Sequence, residues 1–275
     1  MVKLAKRDPE GRMPLVDHLK EARRRLILIL AGVMVGTVAG WFLYPYLFAY
    51  MAQPLKDLQS SGLSAELNFE TVSAAFDLKL KLSMFAGFIL TTPWWVYQIW
   101  AYIGPALKKK EKIYAVAFTV AGAILFTAGA AVGVWIMPHA VTILTSFAPD
   151  SAVMLMRSSM YFSFYMRLVI VFGTSFLVPL AMVGLNFMNV LRAKSMLKAW
   201  RWAVISAFVF TAFANPLPDP WNMTFQALAM LALYFLAVGI SYIHDRRYDR
   251  RQAREEAELD AALAALETKE ETEEL

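Results

Sequence analysis

Between Leu26 and Ile243 this chain runs in long blocks without charge, and that pattern leaves few folds open to it. Leu26–Phe48, Leu82–Leu107, Ile113–Met137 and Trp221–Ile243 are wholly uncharged, and Phe176–Met188 is a shorter block of the same kind. A hydrocarbon layer about 30 Å thick takes about 20 helical residues to cross, so such blocks read as transmembrane helices. A helix satisfies its own backbone hydrogen bonds in a medium that offers no alternative. The alternating pattern of a membrane barrel is absent from the sequence. Composition agrees: the chain is 59% hydrophobic and 18% charged, against about 45–50% and about 25% in soluble domains.

The blocks predict an all-α membrane protein with six transmembrane helices, at about 26–48, 80–104, 113–137, 161–186, 202–215 and 221–243. A cytoplasmic segment, 1–25, precedes this domain of 26–243, and a charged cytoplasmic tail, 244–275, follows it. Basic residues gather on the cytoplasmic side of membranes. With the N-terminus inside, the segments 1–25, 105–112, 187–201 and 244–275 hold twenty-two of the 27 lysines and arginines. Both termini are therefore expected in the cytoplasm. The net charge of +5 then reports topology, and no nucleic-acid partner is expected.

The acids exclude much chemistry. Glu111 is the one acid between Leu78 and Pro149, and Asp219 the one between Ser151 and His244. No pair of carboxylates lies within a span, as an intramembrane protease or a proton-coupled pump would require. His18, His139 and His244 lack metal-ligand spacing, cysteine is absent, and no phosphate-binding loop is present. We expect no catalysis, no cofactor and no metal, and a protein that binds.

The polar residues that stand out lie at the cytoplasmic edge. In "DHLKEARRRLILIL" Glu21 precedes the run Arg23, Arg24 and Arg25, which leads straight into the first span. An acid is unexpected where bases form the orientation collar. In "YQIWAYIGPALKKKEKIYAV" an aromatic helix end is broken at Gly104-Pro105, and four lysines then surround Glu111. The arginines read alone as a snorkelling collar, and the lysine segment as a solvated loop. Read together, Glu21 and Glu111 are two carboxylates on one aromatic-lined face, suited to an arginine pair that contacts each in bidentate fashion.

These stretches resemble the C subunit of the twin-arginine protein translocase, the TatC family, over roughly residues 14–245. "HLKEARRRL" is similar to the family's opening H-L-x-E-L-R-x-R, and "YQIWAYIGPALKKKEK" to its first cytoplasmic loop. "QPLKDL", "SFLVPLAMV" and "NPLPDP" resemble its first external loop, fourth span and last external turn. The resemblance implies a concave, glove-like bundle of six helices with short last helices in a bacterial inner membrane. It implies a receptor for Arg-Arg signal peptides of folded precursor proteins, assembled as an oligomer with TatA- and TatB-type single-span subunits and driven by the proton-motive force. By position it makes Glu21, Arg23, Tyr102 and Glu111 signal-peptide-binding residues, and Pro54, Lys81, Pro105 and Asp219 structural or assembly residues. The chain departs from the family at Leu177 and Phe235, where glutamates are common, and at Met223, near a usual glutamine. Altered partners, as in a divergent paralogue, stay open. So does a small-solute secondary transporter, for which Pro93 and Pro179 within spans are the best evidence.

Other expectations concern individual segments. Trp202–Ala214 is too short for a normal bilayer, and Asn215-Pro216 and Pro218-Asp219-Pro220 close it; local thinning would relieve the mismatch. Arg167 is expected to snorkel outward or to meet Asp77 or Asp150. Tyr50–Ala75 and Pro138–Met160 read as external amphipathic connectors. The tail reads as a helix with Leu259, Leu263 and Leu266 on one side, ending in a solvated, partly disordered acidic stretch.

Overall fold

A computed structural model of the chain describes residues 15–60, 65–103, 112–146, 154–214 and 220–273. In chain order its elements are α1 (Leu15–Met51), α2 (Gln53–Ser60), β1 (Ala65–Asn68), α3 (Ala74–Leu90), α4 (Thr92–Ile103), α5 (Lys112–Thr145), β2 (Met154–Arg157), α6 (Ser158–Phe187), α7 (Ala193–Lys198), α8 (Trp200–Ala214) and α9 (Pro220–Glu273). Four helices are long and apolar enough to cross a membrane: Val16–Asp57, Val116–Thr145, Ser158–Phe187 and Met223–Ala262. Trp200–Phe213 is a shorter apolar helix. Two compact units emerge, one of residues 1–178 with 210–226 and one of 179–209 with 227–275.

In the first unit, glycines set the spacing of the helices. Gly32, Gly36 and Gly40 recur every fourth residue on α1 and so share one face. A Cβ on Gly36 would lie 2.7 Å from the Gly87 carbonyl oxygen of α3, and one on Gly87 would lie 2.7 Å from the Gly36 carbonyl carbon. The α1 and α3 backbones touch there, as small-residue faces allow in membranes. The same device joins α5 to α6: a Cβ on Gly129 would meet the Phe172 carbonyl oxygen at 2.5 Å, and one on Gly173 the Phe126 ring at 2.7 Å. Around these contacts pack Leu78, Leu82, Trp95, Phe126 and Phe162, all buried.

The expected second span, 80–104, is two helices. The Thr91 N–H still bonds to the Gly87 carbonyl, and α4 restarts at Thr92. Pro93 falls in the first turn of α4, where its missing N–H costs no helical bond. The Thr91 and Thr92 hydroxyls donate to the Gly87 and Ile89 carbonyls at 2.7 Å each. The Trp95 indole closes the corner by stacking on Phe88, 5.1 Å between centroids, and donating to its carbonyl at 3.1 Å.

Two connectors differ from expectation. Helix α5 continues through Pro138 to Thr145, because a membrane offers the backbone no better state than helix on either side of a proline. The remaining segments contribute strands: β1 and β2 pair in parallel, with Ala65 opposite Met154 and Asn68 opposite Arg157. Arg157 forms an ion pair with Glu70 beside this ladder. The strands escaped notice because four residues each are too few to show a period. The amphipathic expectation holds for α2, where Leu55 is buried and Lys56 exposed.

In the second unit, α6 ends on a left-handed residue, Asn189 (φ 58°), and the Val190 N–H returns to the Leu185 carbonyl at 3.0 Å. Asparagine tolerates this closing conformation better than most side chains. The Tyr234 hydroxyl donates to the Met196 carbonyl at 2.6 Å, fastening α9 to α7. Helix α9 carries the tail as far as Glu273, as the helical reading of the tail expected. Its run of Ala, Leu and Glu has high helix propensity.

Gly87→Ala should destabilise the detergent-purified protein by about 1–3 kcal/mol, since the backbone of α1 must move to admit a methyl. Gly239→Ala, whose Cβ meets nothing within 4 Å, should be neutral or slightly stabilising. Thermal unfolding of the two variants side by side checks this.

Candidate functional site

Two helix ends meet near the start of the first span. On α1, His18, Glu21 and Arg25 stand at i, i+3 and i+7, one face of a helix. On α4, Gln98 and Tyr102 stand at i and i+4. The two faces are joined by side chains. Arg25 Nε donates to Glu21 Oε1 at 2.7 Å, and its Nη1 donates to Gln98 Oε1 at 2.7 Å. The Tyr102 hydroxyl and His18 Nε2 share a hydrogen bond of 2.9 Å, and the two rings stack at 4.7 Å.

The corner between α3 and α4 puts these groups in register. One turn before Gln98, Trp94 donates its indole N–H to the Leu28 carbonyl of α1 at 2.9 Å. The same indole lies against Gly32, where a Cβ would come within 2.5 Å of Nε1. Only a glycine admits the ring there, and the ring then sets the height of α4 along α1.

The electrostatics follow from partial burial. The Glu21 and Arg25 side chains retain 25% and 24% of their exposure, and Gln98 is 2% exposed. A charge-assisted bond in such a place is stronger than on an open surface. Arg25 uses one carboxylate oxygen, Oε1.

The structure gathers some of the expected site residues and separates others. Glu21 and Tyr102 belong to the cluster. Arg23 is exposed and forms no ion pair among the described residues; Arg25, two residues on, makes the contact with Glu21. Glu111, Pro105 and Asp219 lie outside the described residues. Pro54 is buried in the first turn of α2, and Lys81 is exposed on α3, four residues after Asp77. Arg167 is exposed and has no ion pair with Asp77, and Asp150 lies outside the described residues.

Sequence reasoning missed His18, Arg25 as partner, and Gln98. Helical spacing from Glu21 and Tyr102 was the available signal for all three. It also missed a polar pair within the apolar bundle: Gln226 Nε2 donates to Ser175 Oγ at 3.0 Å, both side chains fully buried. Leu177, read above as a departure from the family's common glutamate, packs against the apolar cluster, two residues from Ser175. Phe235 is exposed.

Long apolar helices, glycine-packed, with an ionic cluster at one end of the first, define a multi-pass helical membrane protein. Residues 17–228 match the family described as Sec-independent protein translocase protein (TatC). A protein of that description from Xylanimonas cellulosilytica is 42% identical over 237 residues, 86% of each chain. One from Rothia mucilaginosa is 34% identical over 248 residues, 90% of this chain and 85% of that one. A crystal structure of the twin-arginine translocase receptor TatC in the detergent DDM superposes with a TM-score of 0.69 at 26% identity, covering 82% of this chain and 99% of that one. The chain belongs to the TatC family, and is thus a component of the Sec-independent, twin-arginine protein transport machinery.

Replacing Gln98 by Leu leaves the second arm of Arg25 without an acceptor and should cost about 1–3 kcal/mol. A double-mutant cycle with Arg25→Gln, read by thermal unfolding in nanodiscs, should return a coupling of about 0.5–3 kcal/mol.

Proposed function

We propose that this chain is the receptor subunit of a bacterial twin-arginine translocase. It binds the Arg-Arg signal peptide of a folded precursor at its cytoplasmic face and gathers TatA- and TatB-type single-span subunits into an oligomer. Transport itself is driven by the proton-motive force. The single observation that carries the reading is the Glu21–Arg25–Gln98 relay beside Tyr102. A site that already holds one guanidinium against a carboxylate fits the shape and charge of another. An incoming arginine takes the second oxygen of Glu21 or displaces Arg25, and the Tyr102 ring offers it a flat face. Glu111 supplies the carboxylate for the second arginine. Lysine fits less well, because its ammonium cannot make the planar two-point contact.

Arg23 contributes positive potential beside the carboxylate, and Pro54, Lys81, Pro105 and Asp219 shape the assembled complex. The chain crosses the inner membrane six times with both termini in the cytoplasm, through the spans expected above. The distribution of basic residues supports that topology. Helix α8 has 15 residues, a rise of about 22 Å, so it lies within a thinned part of the bilayer where partners collect. The solved relatives that support this reading are themselves receptors of that translocase.

Binding of a labelled Arg-Arg signal peptide to the nanodisc-embedded protein tests the reading. Glu21→Gln and Glu111→Gln should each weaken it about tenfold or more, a loss of about 1.4 kcal/mol. A Lys-Lys peptide should bind more weakly and respond less to either change. Equal binding of both peptides, or indifference to both substitutions, would exclude the receptor role.

A further inference from the structure

The second unit contains a cavity of about 490 Å³ between the α6–α7 turn and α9. Arg192, Lys194, Arg246 and Arg250 line it, with Asp245 and Asp249. We infer that this cavity is a binding site for a phosphate group, supplied by the headgroup of an anionic phospholipid.

Both acids are already committed. Asp245, its side chain only 13% exposed, accepts the Asn186 amide at 2.9 Å on one oxygen and the Ala193 N–H at 2.8 Å on the other. Asp249 accepts Arg192 Nη1 at 2.8 Å. These bonds tie the turn to α9 and fix the walls. Lys194, Arg246 and Arg250 form no ion pair among the described residues and are exposed. Four cations and two carboxylates thus share one concavity, a surplus of two positive charges, and the guanidinium of Arg192 keeps further donors. Such a set attracts an anion with several acceptor oxygens, and phosphate is that anion.

The position selects the source. Tyr242, Arg246 and Arg250 stand at i, i+4 and i+8 on one face of α9. The apolar stretch of α9 ends at Ile243, so Arg246 and Arg250 lie about 5 Å and about 10 Å beyond it along the helix. That is the depth of lipid phosphates next to the hydrocarbon. Helix α6 ends at the same level, since the Phe187 ring stacks on His244 at 4.1 Å. Tyr242, 53% exposed, stands at the lip, an aromatic at the interface beside the path of an acyl chain. Basic pockets beside membrane helices on the cytoplasmic side take anionic headgroups. A general basic collar would attract such lipids in proportion to charge alone; a walled cavity holds one of them.

Native mass spectrometry of the full-length protein, titrated with phosphatidylglycerol and phosphatidylcholine in detergent, tests this. The wild-type protein should retain one phosphatidylglycerol in preference to phosphatidylcholine. The pocket variant Lys194→Gln/Arg246→Gln/Arg250→Gln should lose that preference at least tenfold. The variant Arg247→Gln/Arg251→Gln/Arg254→Gln, which removes the same charge from outside the cavity, should keep it. Thermal unfolding of both variants without lipid checks that each is folded. Equal loss in the two variants would reduce the site to a diffuse collar. Saturation by inorganic phosphate, with no further gain from phosphatidylglycerol, would make a soluble phosphate the ligand and overturn the lipid.

Discussion

The backbone contact of α1 with α3 at Gly36 and Gly87 is the constraint on which the first unit depends. In hydrocarbon, apolar side chains gain little by leaving lipid for protein, so helix association rests on close packing and on the few polar contacts available. Two glycines allow the axes to approach until main chain meets main chain. The contacts of α1 with α4 follow from that approach. Trp94 reaches the Leu28 carbonyl only because α3 delivers it to the Gly32 notch, and Gln98 reaches Arg25 only because Trp94 has set the height of α4. The polar cluster is therefore supported by an apolar contact more than a helical turn away along α1.

The cluster shows how a carboxylate can be kept ready at a membrane edge. Left alone among arginines, Glu21 would be free to pair with any of them. Arg25 is singled out because Gln98 holds its other arm, which leaves Arg23 and Arg24 exposed. The internal pair keeps the partly buried charge compensated while no ligand is bound. It also uses only one oxygen of the carboxylate. The arrangement favours the proposed arginine-binding role, because exchanging one guanidinium for another changes the electrostatics little and selects for shape.

The second unit repeats the theme with a different chemistry. There a partly buried carboxylate, Asp245, is spent on structure: it satisfies a side-chain amide and a backbone N–H where α6 turns into α7. Both its oxygens are taken by those donors, and among the described residues it forms no ion pair with Lys194, Arg246 or Arg250, whose own donors remain available. In both units, then, an acid joins two segments: Glu21 through Arg25 to Gln98, and Asp245 through Asn186 and the Ala193 N–H.

Much was legible from the sequence alone, for a physical reason. Hydropathy and charge act on each residue according to the medium it sits in, so the apolar helices, the basic segments that flank them and the polar stretches at 18–25 and 97–102 need no knowledge of neighbours. Glu21 stood out because an acid at that edge is costly without a purpose. What depends on two segments meeting stayed hidden until the fold was known. The glycines of α1 have the same composition whether they face lipid or α3. The β1–β2 ladder is too short to carry a period. The choice of Arg25 over Arg23 rests on an angle around α1 that only Gln98 decides. Ser175 and Gln226, 51 residues apart, form a polar pair only because tertiary packing brings them together. The sequence determined the medium and the helices that live in it; the tertiary structure decided which polar groups find each other, because a hydrogen bond is set by distance in space and not by distance along the chain.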